Sequence, residues 1–161
     1  SDVCSSDLVF SKPQRKIYGA GEPMDYEEER RFVRLFVRKS RRERLLYELT
    51  NPRKRYDGLS RFCHYASELL DARKILLSGE DLERQSAFRG FVERHDEPCF
   101  ILSPDFSLDG RTARFGAALN LASACFDAAI ILGGSFAVVY GEVTRGGRGK
   151  YLLTEEERNL K

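Results

Sequence analysis

PCFILSPDFSLDGRTARFGAALNLASACFDAAIILGGSFAVVYGEV, residues 98–143, holds the longest apolar runs of the chain, its cleanest turn signal and most of its alanines. Cys99-Phe100-Ile101-Leu102 is a short apolar run stopped by Ser103-Pro104, which predicts a strand with a hard end. Phe115, Ala118, Leu119, Ala122 and Cys125 recur at helical spacing over 112–125. Ala117 and Ala124 keep that helix slim enough to lie close to a sheet. Residues 128–132 are continuously apolar, the pattern of a strand buried on both faces. Gly133-Gly134 then reads as a two-residue turn needing positive φ, with 136–140 pairing back as a hairpin. A TRGGRGK loop leads to an expected edge strand at 151–153. Strand, helix, strand predicts a right-handed parallel crossover followed by the hairpin. The expectation is an α+β domain: a small mixed β-sheet of about four or five strands, with helices mainly on one face.

Upstream the chain is more charged and more helical in pattern. Residues 31–38 (RFVRLFVR) fit a helix face or a strand, and their β-branched and aromatic content favours the strand. Ser40 offers a helix start, with Glu43 completing a capping box. That helix would bury Leu45, Leu46 and Leu49. Asn51-Pro52 is a second start signal. Beyond it Leu59, Phe62, Cys63, Ala66, Leu69 and Leu70 form one continuous stripe. Residues 81–95 read as a further helix burying Leu82, Phe88, Phe91 and Val92. Residues 1–23 show no sustained period, and SDVCSSDL resembles a translated adapter sequence. The reading is a disordered or non-native leader, a natural start at Met24, and one α+β domain over 24–161.

A chain of 161 residues is long enough to bury roughly 68–70% of its unfolded surface without disulfides or metals. No apolar run is long enough for a transmembrane helix and no secretory signal stands out, so a cytoplasmic protein is expected. The four cysteines, Cys4, Cys63, Cys99 and Cys125, include no C-x-x-C pair and read as free thiols in a reducing compartment. The net charge of +2 is unevenly laid out. Between Arg30 and Arg61 twelve Lys and Arg face three acids, +9 in all, and the remainder of the chain carries −7. Such sorting points to an acidic partner, either nucleic acid or a protein surface.

The candidate contact residues are Arg38, Lys39, Arg41, Arg42, Arg44, Arg53, Lys54 and Arg55, with Tyr47 and Tyr56 available to stack on bases. The competing reading is a solvated helix surface balanced by acids such as Glu27–Glu29 and Glu155–Glu157. A second candidate is the loop SPDFSLDGR, where Asp105, Asp109 and Arg111 follow a strand's carboxyl end, the usual place for ligands in open α/β sheets. Paired carboxylates there could hold a metal or act as acid and base. Turn formation and helix capping explain the same residues without chemistry.

Pro104-Asp105 resembles the opening of the PD-(D/E)-x-K nucleases, over two residues only. The acid and lysine that family places on a later strand are missing, since Glu142 is followed by Val143 and Thr144. Cys63 and His64 are adjacent and point about 100° apart on a helix, poorly set to activate one another. The two histidines have no paired spacing, so no zinc site is expected. TRGGRGK lacks the first glycine and final Ser or Thr of a phosphate loop, leaving Arg145, Arg148 and Lys150 for non-specific phosphate contact. The sequence therefore reads as a binding domain without cofactor or metal, contacting nucleic acid or an acidic protein through its basic helical half. The alternative is a metal-assisted phosphoesterase or nuclease-like enzyme using the Asp105/Asp109 loop.

Overall fold

Strands β1 (Ile75–Ser78), β2 (Pro98–Leu102), β3 (Thr112–Arg114), β4 (Ala129–Leu132), β5 (Phe136–Thr144) and β6 (Gly147–Thr154) build one sheet in the order β1-β6-β5-β4-β2-β3. The structure is a computed structural model describing residues 25–125, 127–144 and 147–157. The expectations for residues 1–23 and Met24 lie outside these. The α+β class holds, with six strands instead of four or five. Every neighbouring pair is antiparallel, so the sheet is not mixed.

The expected crossover from β2 to β4 is corrected in an instructive way. β2 pairs antiparallel with both β3 and β4, on its two sides. The strand–helix–strand unit therefore starts one strand later, running from β3 through helix α6 (Phe115–Ala124) to β4 and passing over β2. The loop 103–111 turns the chain back before the crossover begins. The Gly110 amide donates to the Ile101 carbonyl and the Ile101 amide to the Arg111 carbonyl, both at 2.8 Å, closing that loop onto β2. The region 151–153 lies within β6, an interior strand, because β1 pairs along its outer side.

The strands alternate, and the two faces bury different partners. Ile130, Leu132, Ala137, Val139 and Leu153 face the helices α1 (Glu27–Phe36), α2 (Arg42–Leu49), α3 (Arg55–His64) and α4 (Ala66–Leu69). Ile131, Phe136, Val138, Tyr140 and Leu152 face α5 (Ser86–Arg94) and α6. Four of the six helices of the described residues thus share one face, and the other face is covered as well. Each buried Leu, Ile, Val or Phe contributes roughly 1.5–3 kcal/mol.

Residues 31–38 are helical up to Phe36, against the strand expectation. Phe32, Val33 and Phe36 are buried at helical spacing. Glu27, Glu28 and Glu29 occupy the first turn, where acids favour the positive helix end. The capping box at Ser40 is not formed: a 3₁₀ turn spans Lys39–Arg41, and Arg41 precedes α2 without a side-chain cap bond. Gly58 lets α3 approach α2 closely, since a Cβ there would lie 2.8 Å from that of Glu48. Gly133 and Gly134 do connect β4 to β5, but neither has positive φ. Space decides instead, because a Cβ on Gly133 would sit 2.5 Å from the Phe136 ring.

Candidate nucleic-acid interface

Asn51 nucleates the turn between α2 and α3. Its side-chain oxygen accepts from Arg53 N at 3.1 Å, and its carbonyl accepts from Lys54 N and Arg55 N. That turn puts Arg53 and Lys54 in solvent and directs Arg55 inward. Arg55 is buried and leaves the set of candidate surface contacts. Its guanidinium pairs with Glu29 at 2.8 Å and with both oxygens of Asp109 at 2.9 and 3.0 Å, and donates to Leu49 O at 2.9 Å. Burial of so hydrophilic a group requires this degree of pairing.

The remaining cations divide by what they touch. Arg38 Nε donates to Leu70 O and Arg42 Nε to Val37 O, each at 2.9 Å. These carbonyls end α4 and α1, where a cation is favourable to the helix dipole. Arg44 pairs with Glu48 at 3.1 Å, and Arg61 shares the same carboxylate. Lys39, Arg41, Arg53 and Lys54 are exposed, and no carboxylate of the described residues lies within ion-pair distance of them. They stand at the two ends of α2, whose eight residues span about 12 Å.

Exposed aromatic rings accompany them. Tyr47 is 60% exposed, Tyr56 53% and Phe106 73%. Tyr56 and Phe106 are near-parallel, with centroids 6.2 Å apart and 13° between planes. With Pro52, Leu59 and Pro104 they wall a slot of about 230 Å³ whose inner end is Arg55, Ser103 and Asp109. Tyr47 reaches the same turn, its hydroxyl 3.4 Å from Asn51 Nδ2. Phe106 is the contributor that sequence reasoning passed over; the signal was a lone large aromatic inside a run of turn-forming residues.

The two loop carboxylates make separate sets of contacts. Asp109 faces Arg55 and the amide of Ser103. Asp105 accepts from the amide and hydroxyl of Ser107 at 2.8 and 2.6 Å and from the Cys125 thiol at 3.2 Å. Those Ser107 bonds, against the effect of burial and with help from Cys125 and the Arg111 charge, hold Asp105 below the ordinary carboxylate range. Asp105, Cys125 and Asp127 bring one ligand-type atom each within 4.8 Å of one another, with the Asp105 oxygens accepting from Ser107 and Cys125. In the glycine-rich hairpin, Arg148 bonds Gly141 O and Asp127 O, and Lys150 pairs with Glu83. Neither presents a free cation, and Arg145 lies outside the described residues.

No protein-family model, curated protein or solved structure matches the chain. Among the described residues no helix is long and apolar enough to cross a membrane.

Proposed function

We propose that this protein binds single-stranded nucleic acid along α2 and the turn that follows it. The observation that carries the reading is the exposed Tyr56–Phe106 pair beside Arg53 and Lys54, cations with no acidic partner among the described residues. An acidic protein surface would need only the charges. Solvated parallel rings beside phosphate-binding cations fit bases and backbone together. Lys39 and Arg41 extend the cationic track to the far end of α2, with Tyr47 between.

The same geometry supports sequence tolerance. The Arg55 and Asp109 groups at the slot's inner end are already bonded to one another, and Ser103 Oγ donates to Ala128 O at 2.6 Å. No base edge is read by groups committed elsewhere, so stacking and phosphate charge carry the affinity.

Fluorescence anisotropy with labelled oligo-dT, repeated over a salt series, tests this. Four phosphate contacts predict a slope of log K against log salt near about −3 for a single strand. Tyr56→Ala and Phe106→Ala are each expected to cost about 1–3 kcal/mol, and Lys54→Glu to flatten the slope. Affinity indifferent to salt, or preserved in both aromatic variants, would refute the reading.

A further inference from the structure

On the opposite face of the sheet, α5 and α6 part to leave an open groove of about 770 Å³, within the range of small-ligand sites. Its wall is largely apolar, built by Phe88, Val92, Leu119 and Leu121. Its charged groups are mostly spoken for. Glu83 takes both oxygens to Lys150 Nζ at 2.8 Å, and Arg114 donates to Asp96 at 2.7 Å. Arg89 also lines the groove and is exposed, and no carboxylate of the described residues pairs with it. The uncompensated charge of the groove is therefore a single guanidinium.

A second polar group lies behind the wall. Tyr140 is fully buried, and its hydroxyl makes no hydrogen bond of ordinary geometry. Glu83, Ser123 and Arg148 bear on it, and the first two line the groove, while Arg148 and Lys150 stand over its ring at 5.0 and 5.6 Å. Ser123 Oγ is committed to Leu119 O at 2.8 Å. A buried donor left without a good partner is costly.

We propose that this groove binds a small amphipathic carboxylate, its acid on Arg89 and its apolar body along Phe88, Val92, Leu119 and Leu121. A neutral apolar molecule would gain nothing from the exposed guanidinium of Arg89. A dianion would find one cation without a carboxylate partner for its two charges, since Arg114 and Lys150 are already paired. One negative head on an apolar body is the chemistry that fits.

Isothermal titration with sodium decanoate, with decan-1-ol as the uncharged control, tests this on the full chain. Saturable binding of one decanoate per chain is expected, at least about tenfold tighter than decan-1-ol. Arg89→Gln should weaken it by about tenfold or more, the size of a lost charge-assisted hydrogen bond. Gly116→Leu supplies a blocking variant that is expected to keep the fold. Gly116 lines the groove, a Cβ there meets nothing within 4 Å, and Leu is the better helix former by roughly 1 kcal/mol. Blocked decanoate binding with an unchanged circular dichroism spectrum supports the assignment. Absent saturation, or binding untouched by Gly116→Leu, overturns the site; equal affinity for the alcohol, or an unaffected Arg89→Gln, overturns the acid-head assignment.

Discussion

Burial raises the thiol pKa of Cys63, with the Glu142 carboxylate adding to it, and burial likewise pushes Cys99 up to about 12. His64, next to Cys63 in sequence, turns to Glu142 at 3.3 Å instead. With the thiolate as the reactive species, both cysteines should alkylate with iodoacetamide at pH 8 more slowly than glutathione. Mass-spectrometric mapping of the modified peptides checks this, and a rate matching glutathione would contradict the burial. Tyr140 gives a second test at this scale. Its hydroxyl lacks a well-formed partner, so Tyr140→Phe removes a poorly satisfied buried donor and should change stability by less than about 1 kcal/mol in urea unfolding. A loss of 2 kcal/mol or more would mean that Glu83 or Ser123 bonds it well.

Between elements, Arg55 is the principal polar tie, joining α3 to Glu29 of α1 and to Asp109 in the loop after β2. Arg55→Ala leaves two carboxylates buried without their cation and should destabilise by about 3–5 kcal/mol, read as a lower urea midpoint. This role was hidden in the sequence, where Arg55 is one more cation in PRKRY and its partners lie 26 and 54 positions away. β4, β5 and the buried stripe from Leu59 to Leu70 were legible, because each carries its signal within a single stretch of chain, although the one helix expected for the stripe breaks at Tyr65 into α3 and α4. β1 and β3 were not. Each is short, and each is a strand only through pairing with β6 or β2, which no local pattern records. α1 was misread because Phe32, Val33, Leu35, Phe36 and Val37 satisfy both periods, and burial under the sheet selected the helical one. The basic residues were visible as a cluster, but which were exposed depended on helix ends and buried acids contributed by other elements.

Across the whole molecule, carboxylates held below their usual range set the acid limit. Asp71 is lowered by the Arg73 side chain and Asp105 by Ser107; at Glu83 burial is the largest single effect and acts upward, but the Lys150 ammonium and a backbone amide together leave the carboxyl lowered. A depressed native pKa gives stability that is fully present above about pH 5. It is lost as pH falls through the ordinary values near 4 and then through the native ones. Thermal melts should therefore give a Tm constant from pH 7 to about 5 and falling below it; a Tm that rises on acidification would contradict these assignments. Strand order has a separate bearing on biosynthesis. Among the described residues β1 finds its only strand neighbour in β6, which emerges from the ribosome after the other five strands of this sheet. Until then β1 lacks that partner and β5 keeps one bare edge, so the sheet is completed only after β6 emerges, leaving the nascent chain in need of protection from edge-to-edge pairing until that moment.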